Sequence, residues 1–599
     1  MLRKFFRPFL ILLQLCILCV FIGCGAFLWR LHRAPINVDG LIPYVIHAFA
    51  VPESKADINI KSAQLIWRNA SRPVDLVVKG FRVTDENGLL ISSVPELSVS
   101  ISFRALLRGI IAPKSLAVYR PSLHLYIGKD GSVRSSKNQT VSTETVADKT
   151  ETDTVLPVDT LLSYLEKETY LSTFSLVNAK VRITDEYHNI EWIIPSADLT
   201  YSNKNGKNTL SGAMTLQTKT IPLTMKVNGG WNKDKTALKL SFRFNNIDAS
   251  RLSVADKYPF LKQLTTPINF ETTTHLETAA LLKAKKISAL RDAIQKIEFS
   301  LKGSKGRLLL PDPIIADYDL NSFSVNGTIY DKGDKLDISE FNVRLTNGDA
   351  SGNISVQGIG KALDTKSWET VSAVMKARVS DIPVNKLPDY WPATIEPDIH
   401  SWIKENMRDG IIEDGNFNLH FVGMKDEASI DCDKVFGIVN VKNTNITYMD
   451  GMPEVVNVSG NVSLSRDAVN INIFSGSSFD VSVKKGLVSF YNLEQELSDG
   501  KVVLDLEGSV ANALKILDQP PLDITKDLGI DPQKTAGDVK GNLRLDFPIG
   551  DAFVSSDQLK IGATAVVTNG EFQNLVADFG LQDVALSLDV EGPEVNIKG

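Results

Sequence analysis

The residues LSVSISF, 97–103, alternate strictly between large apolar side chains and serine. Successive side chains of a β-strand point to opposite faces, so this stretch predicts a strand with one apolar and one polar face. The same period of two recurs at 238–244, 417–421, 469–473 and 502–506. The alternation therefore predicts a mainly β protein whose sheet has one apolar face.

Glycine follows asparagine or aspartate at many points along the chain. These dipeptides are Asn87-Gly88, Asp130-Gly131, Asn205-Gly206, Asn228-Gly229, Asn347-Gly348, Asp450-Gly451, Asp499-Gly500 and Asn569-Gly570. Such pairs accept the positive φ angles of tight hairpin turns. They predict antiparallel meanders, in which strands that follow each other along the chain also pair.

A few segments depart from this pattern. Residues 135–155 contain little apolar sequence and predict a disordered loop or linker. Composition and apolar spacing predict short helices at 161–171, 279–297 and 511–517.

The stretch YWPATIEPDIHSWIKENMRDG, 390–410, concentrates histidine, tryptophan and carboxylates in a chain that is otherwise poor in histidine and tryptophan. Pro397 suits a first helical turn, and Gly410 fits the position just past a helix end. We predict a helix that caps the sheet with an apolar stripe formed by Ile399, Trp402, Ile403 and Met407. An active site is the alternative, but catalysis needs convergent groups, and His400 projects away from the stripe.

An apolar run from Phe9 to Trp29 spans about 20 residues, enough for one membrane-spanning helix. Basic residues flank it on both sides, and their small excess before the run favours a cytoplasmic N-terminus. A cleaved signal peptide is the alternative, but no small-x-small cleavage site closes the run. We predict an uncleaved anchor formed by Phe9, Leu10, Ile11, Leu12, Leu13, Leu15, Ile17, Leu18, Val20, Phe21, Ile22, Phe27, Leu28 and Trp29.

Composition argues against several functions. The 599 residues carry a net charge of −6, whereas nucleic-acid binding needs a clustered basic surface. Three of the four cysteines lie in the apolar run and Cys432 stands alone, so no cysteine-based metal site is predicted. The histidines are scattered without metal-ligand or nucleophile–base spacing, and His124 and His420 fall inside strand patterns as solvated or hydrogen-bonded residues. We predict that the protein is not an enzyme and uses no cofactor or metal.

Four tracts resemble the AsmA-like superfamily of Gram-negative envelope proteins, and most of all its YhdP-type branch. The first combines the anchor with SAQLIW, 62–67, and with residues 78–132, which include VPELSVSISFRALLRGIIAPKSL. The second is the stretch 390–410. The third and fourth are ITYMDGMPEVVNVSGNVSLS, 446–465, and ALKILDQPPLDITKDLGIDPQKTAGDVKGNLRLDFPIG, 513–550. Their order and spacing make the resemblance specific.

The resemblance implies a linear organisation. An anchor over 1–33 precedes an AsmA-like β region over 34–134, the linker over 135–155 and a β region with short helices over 156–389. The cap segment over 390–410 and a YhdP-type β region over 411–599 follow. YhdP-type chains usually run well beyond this length, so the ending is typical of a fragment or a shortened member.

The resemblance also implies a fold and a function. The fold is a long, twisted, antiparallel sheet curled into an apolar groove, with Leu97, Val99, Ile101 and Phe103 as candidate lining near the membrane end. The function is passage of phospholipid from the inner membrane through the periplasm towards the outer membrane, with envelope protein partners left open. A string of closed β-sandwiches is the alternative fold.

Two other functions remain open at this point. The first is an envelope scaffold that regulates outer-membrane assembly without moving lipid. The second is an envelope enzyme that uses paired carboxylates such as Asp431 and Asp433, for which a solvated turn is the simpler interpretation.

Overall fold

A computed structural model describes most of the chain. The described residues are 2–49, 57–68, 74–84, 90–102, 105, 108, 112–134, 170–187, 189–204, 206–217, 222–248, 250, 262, 265–284, 286–310, 316–365, 369–390, 397–423, 430–495, 497–520, 530–549, 558–576, 579–592 and 594–599.

Strands dominate these residues. The first fifteen are β1 Ile36–Asn37, β2 Asp57–Asn59, β3 Ser62–Ile66, β4 Asp75–Thr84, β5 Leu90–Ile101, β6 Pro113–Tyr119, β7 Ser122–Ile127, β8 Val133–Arg134, β9 Thr173–Asp185, β10 Ile190–Lys204, β11 Lys207–Leu216, β12 Leu223–Trp231, β13 Ala237–Ile247, β14 Ile268–Glu277 and β15 Ile294–Gly303. Those that follow are β16 Gly306–Leu310, β17 Ala316–Tyr330, β18 Lys335–Leu345, β19 Gly348–Gln357, β20 Ser372–Pro383, β21 Met407–Arg408, β22 Ile411–Gly423, β23 Ile430–Ile446, β24 Val455–Ser465, β25 Ala468–Ser478, β26 Val481–Tyr491, β27 Ser498–Ser509, β28 Thr535–Ile549, β29 Lys560–Val576, β30 Phe579–Glu591 and β31 Glu594–Lys598. The mainly β class is therefore confirmed.

Helices are short after the first one. The α-helices of the described residues are α1 Leu2–Arg33, α2 Ile42–Phe49, α3 Thr278–Lys283, α4 Ile287–Ala293, α5 Ile359–Thr365, α6 Leu387–Tyr390, α7 Pro397–Asn406 and α8 Val510–Leu517. Single 3₁₀ turns occur at Asp39–Leu41, Asp331–Gly333, Val384–Lys386 and Pro532–Lys534.

The chain divides into two compact units. Unit 1 comprises Met1–Ile247, Arg251–Val254 and Phe270–Ile297, and unit 2 comprises Asp248–Ser250, Ala255–Asn269 and Glu298–Gly599. In unit 1, β10 to β13 pair antiparallel in sequence order. In unit 2, β16 to β20 and β22 to β31 do the same. The predicted antiparallel meander is confirmed in both units.

One strand of unit 1 departs from the meander. β9 pairs parallel with β6 and then with β7, which follow each other across Arg120 and its positive φ of 54°. Parallel neighbours need a long connection, and residues 135–172 separate β8 from β9 in the sequence.

Three of the predicted turn dipeptides lie inside strands instead. Asn228-Gly229, Asp499-Gly500 and Asn569-Gly570 belong to β12, β27 and β29. Gly229 and Gly500 lie under the side chains of facing residues, and Asn569 has a φ of 50° at a β-bulge. Glycine and asparagine therefore permit close packing and bulges here, and the sequence pattern alone mistakes these sites for hairpin turns.

The helix predictions have mixed outcomes. The prediction at 511–517 is confirmed by α8, where Ser509 Oγ accepts a hydrogen bond from the backbone N–H of Asn512 at 3.2 Å. The single helix predicted at 279–297 is wrong, because Ala284 and Lys286 are extended and separate α3 from α4, and β15 begins at Ile294. The predicted linker at 135–155 and residues 161–169 of the predicted helix lie outside the described residues.

The predicted anchor falls on α1. Within the part of the chain that the structure describes, no helix combines the length and the apolar character that a membrane crossing requires. The side chains of Phe9, Leu10, Ile11, Leu12, Leu13, Ile17 and Val20 lie outside the described residues. The C-terminal end of α1 packs on the rest of unit 1. Leu31 is buried there, and the His32 ring meets the Trp67 ring edge-on at 5.5 Å between centroids.

Candidate functional site

A row of apolar side chains crosses the sheet of unit 2 from strand to strand. Residues that are directly paired across neighbouring strands point to the same face. This valine row runs through Phe323, Val343, Ala350, Val379, Gly415, Val439, Val462, Ile471, Val488, Val502, Leu545 and Ile561. It joins β17 to β20 and β22 to β29 on one side of the sheet.

A second row lies two residues further along each strand, on the same face. This phenylalanine row runs through Val325, Phe341, Gly352, Ala377, Phe417, Gly437, Leu464, Val469, Phe490, Gly500 and Phe547. We call the surface that contains both rows the apolar face of unit 2. The alternate residues, such as Arg378, Asn416, Asn470 and Lys501, form the opposite, polar face.

Side chains of the apolar face are only half-buried. Every residue of the two rows other than glycine keeps part of its surface accessible, and none is fully buried. In a β-sandwich, a second sheet would cover the centre of such a face and would remove these side chains from water. The two rows therefore pack sideways against each other while one side of them stays open.

Glycines in the phenylalanine row lie beneath aromatic rings. Cβ atoms added to Gly352, Gly437 or Gly500 would lie 2.9, 2.7 or 2.5 Å from the ring atoms of Phe341, Phe417 or Phe547. Each ring thus lies over a glycine on the neighbouring strand. This packing keeps large side chains low on the surface and leaves space above them.

Short helices cover the apolar face at one end of the strands. We call it the bulged end, because positive φ angles at Asp381, Asn443, Asn457, Asn569 and Asp583 interrupt the strands there. Ile382, Val384 and Ile412 form a buried cluster at this end, and Val510, Val567 and Phe572 form another beside α8. The closed core of this part of unit 2 is confined to the bulged end, and the two open rows lie beside it.

The YhdP family model, described as YhdP protein, matches residues 262–599, which is more than half of the chain. The chain belongs to the YhdP family. The match confirms the YhdP-type resemblance. It covers the second, third and fourth tracts, and it contains both rows of the apolar face. No curated protein and no solved structure was found to match the chain.

The cap segment of this YhdP-family region differs from its prediction. A ten-residue helix forms as α7, but it ends at Asn406. The side-chain amide of Asn406 donates a hydrogen bond to the Trp402 carbonyl oxygen at 3.0 Å. Trp402 is 44% exposed, whereas Met407 lies in β21 and packs on the cluster of Ile382, Val384 and Ile412. Ile403 is half-buried, and the side chain of Ile399 lies outside the described residues. His400 contacts the Pro388 carbonyl oxygen through Nε2 at 3.1 Å.

Gly410 is required by the backbone rather than by a helix end. Its φ is 72°, and an added Cβ would lie 2.7 Å from the Cα of Thr444. The buried Thr444 hydroxyl donates to the carbonyl oxygens of Arg408 and Asp409 at 3.2 and 3.4 Å. The turn that was predicted to end the helix therefore joins β21 to β22 along β23.

The candidate lining near the anchor lies mostly in a closed core of unit 1. Leu97 and Val99 are buried with Val78, Val118 and Phe174, and α2 packs on the same cluster. Ile101 is 46% exposed, and Phe103 lies outside the described residues. The serines between them, Ser98, Ser100 and Ser102, are also buried, and Ser98 Oγ donates a hydrogen bond to Asp75 Oδ2 at 3.1 Å. Both faces of this strand are covered, and α2 packs against the apolar one.

The polar face contains an arrangement that the sequence spacing conceals. His420 Nε2 lies 3.0 Å from Ser372 Oγ, and His420 Nδ1 lies 2.5 Å from Asp433 Oδ1. The three side chains come from β20, β22 and β23 and are partly exposed. The prediction for His420 was a solvated or hydrogen-bonded strand residue, and it does have hydrogen-bond partners on both ring nitrogens.

The paired carboxylates Asp431 and Asp433 lie in β23 rather than in a turn, and they have different partners. Asp431 Oδ2 lies 3.5 Å from Arg466 Nη1, whereas Asp433 faces His420. Cys432 lies between them, and burial first, with the two carboxylate charges next, raises the pKa of its thiol. The two carboxylates therefore do not form an acid–base pair of their own.

A charged pocket of the polar face is lined by Lys484, Glu507, Lys540 and Asn542. Glu507 lies 3.1 Å from Lys540 Nζ and 3.6 Å from Lys484 Nζ. The hydrogen bond from Lys540, followed by its charge, lowers the pKa of Glu507. These charges compensate one another, and no group of three potential metal ligands occurs among the residues that the structure describes.

Proposed function

We propose that this YhdP-family protein carries phospholipid along the apolar face of unit 2, between the inner and outer membranes of a Gram-negative bacterium, and so supports outer-membrane integrity. The observation that carries the proposal is the pair of apolar rows, which cross successive strands without a covering layer. An envelope scaffold that moves no lipid is the competing function, and it gives no reason for an uncovered apolar face.

Energetics favour a continuous apolar surface for this task. The two acyl chains of a phospholipid contain roughly 30 methylenes, each of which costs about 0.8 kcal/mol to expose to water. An acyl chain that moves from one strand of the valine row to the next exchanges one apolar contact for another. The barrier to movement is then far below the cost of leaving the membrane unaided, and the polar headgroup can remain in water.

We also propose that α1 anchors the protein in the inner membrane, with the bulk of the chain in the periplasm. The described anchor side chains support this, because Leu15, Leu18, Phe21, Ile22 and Trp29 are all more than half exposed. The guanidinium of Arg33 lies 4.1 Å from the centroid of the Trp29 ring. An aromatic residue with a basic neighbour is typical of the interface between membrane and water.

Photo-crosslinking at adjacent positions of β25 tests the proposal. Ile471 belongs to the valine row, whereas the exposed Asn472 points to the polar face. A benzophenone side chain at 471 should capture phospholipid in native membranes, and the same side chain at 472 should not. Equal capture from both positions, or no capture from position 471 in the folded protein, would contradict lipid passage along this face.

Two glutamate substitutions, one on each face of β25, test whether lipid passes along the apolar face. Ile471→Glu places a carboxylate where acyl chains would have to slide, but the half-buried site leaves the charge in contact with water. We expect a folded protein that fails to restore the outer-membrane barrier in a strain lacking it, whereas Asn472→Glu should restore the barrier. A scaffold that moves no lipid predicts that both folded variants restore it.

A further inference from the structure

Ser372, His420 and Asp433 have the mutual geometry of a nucleophile, a general base and the group that orients the base. Ser372 Oγ lies 3.0 Å from Nε2, and Asp433 Oδ1 lies 2.5 Å from Nδ1, where a carboxylate accepts a hydrogen bond from an Nδ1–H. Nε2 is then free to accept the proton of Ser372. Such arrangements are recognised by geometry and not by chain order.

A β-bulge places the carboxylate. His420 pairs with Lys434 and Phe421 pairs with Cys432, so Asp433 is the extra residue between two pairs. A bulge redirects a side chain out of the regular alternation. Without it, Asp433 would point to the face opposite His420, and the contact could not form.

Two exposed apolar side chains lie beside His420 on the polar face. Val374 is directly paired with His420 and is 46% exposed. Phe436 is two residues beyond Lys434 on the same face and is 50% exposed. Neither side chain belongs to the buried cluster of Ile382, Val384 and Ile412 or to that of Val510, Val567 and Phe572. Both side chains are neighbours of His420 on this face, and together they form an apolar shelf beside its ring.

Lys434 adds a positive charge. It is exposed, and it is the direct partner of His420 on β23. Directly paired side chains have Cβ atoms about 5 Å apart, so the long side chain can reach an anion that forms beside His420. A cation at that place stabilises the negative charge that develops on a carbonyl oxygen during acyl transfer.

We propose that this cluster hydrolyses carboxylic esters with an apolar acyl chain. Ser372 Oγ forms a bond to the carbonyl carbon while its proton moves to His420 Nε2. The carbon–oxygen bond to the alcohol then breaks, and the proton on Nε2 passes to the leaving alcohol. Water then attacks the carbonyl carbon of the acyl-serine and gives a proton to Nε2. The bond between that carbon and Ser372 Oγ breaks, and the proton on Nε2 returns to Oγ, which releases the acid and restores Ser372 and His420. Ser372, His420 and Lys434 are the catalytic residues, and Asp433 is a positioning residue.

An alkyl fluorophosphonate and a series of p-nitrophenyl esters test the proposal on the full-length chain in mild detergent. The fluorophosphonate should label Ser372, identified by peptide mass spectrometry, and the label should disappear in Ser372→Ala. Hydrolysis of p-nitrophenyl octanoate should fall about a thousandfold in Ser372→Ala and in His420→Gln. Ser380→Ala, on the same strand and face, should retain both labelling and hydrolysis.

Two further variants separate catalysis from structure. Asp433→Asn should change the pH profile of the octanoate reaction as well as its rate, because it alters the tautomer and protonation of His420. Phe436→Ser should lower the rate for octanoate by a larger factor than the rate for acetate, because only the longer acyl chain reaches the shelf. A folded protein whose Ser372 is not labelled above Ser380, or whose ester hydrolysis survives Ser372→Ala, would overturn the proposal. Neither result bears on lipid passage, which uses the other face of the sheet.

Discussion

At the scale of single residues, glycine determines how deep the apolar face is. Gly500 is buried beneath Phe547, and an added Cβ would lie 2.5 Å from the Cε2 and Cζ atoms of that ring. The sequence places Asp499-Gly500 among the turn signals, because the pairing of a glycine with an aromatic residue 47 positions away cannot be inferred from local spacing. His420 is a similar case, since its partners Ser372 and Asp433 lie 48 and 13 positions away.

Gly500→Ala should lower the free energy of unfolding by about 1–3 kcal/mol, because the new methyl group forces the Phe547 ring away from the sheet. Urea unfolding measures the change. Gly562→Ala is the matched control, since its nearest neighbouring heavy atom is 3.9 Å away, and it should stay within about 0.5 kcal/mol. Equal losses in the two variants would show that overpacking beneath the ring is not the cause.

At the scale of elements, the sequence predicts where helices form better than it predicts what they bury. The prediction of a short helix in 390–410 is confirmed by α7, because Pro397 and the helical spacing are local properties. Which side chain enters the core depends on β23, which pairs with β21 and brings Met407 over the cluster of Ile382, Val384 and Ile412. That pairing is a long-range contact, and it leaves Trp402 at the surface.

Met407→Ala should therefore destabilise the protein by about 2 kcal/mol, because it removes apolar contacts at the bulged end. Trp402→Ala should lower the stability by less than about 1 kcal/mol, since the indole is 44% exposed. Thermal unfolding of the two variants beside the parent measures the difference. The reverse order of the two losses would mean that Trp402 is the anchor of this segment.

At the scale of the whole molecule, alternation predicts the β class, the turn dipeptides predict antiparallel pairing, and the resemblance of the four tracts indicates the family. They do not distinguish an open face from closed sandwiches, because both use the same period of two. The half-burial of residues such as Val462 and Val488 provides that distinction in unit 2, and the buried Leu97 and Val99 show the opposite situation in unit 1. The same alternation thus has two outcomes, depending on whether another element covers the strand.

Fusion reporters test the proposed topology. Alkaline phosphatase fused after Gly599 should be active, because the enzyme needs the oxidising periplasm for its disulfides. Green fluorescent protein at the same place should be dark after export through the general secretory route. A fluorescent fusion with an inactive phosphatase fusion would place the bulk of the chain in the cytoplasm and would reverse the proposed orientation of α1.

The sequence-order pairing of unit 2 restricts how such a chain can change in length. Because each strand runs opposite to the one before it, the insertion of a single strand would reverse every strand that follows. The bulges and helices that follow the insertion would then lie at the opposite end of the strands from those that precede it. The insertion or loss of a complete hairpin keeps every later bulge and helix at the bulged end. Growth and shortening of the sheet over evolutionary time should therefore proceed in steps of two strands.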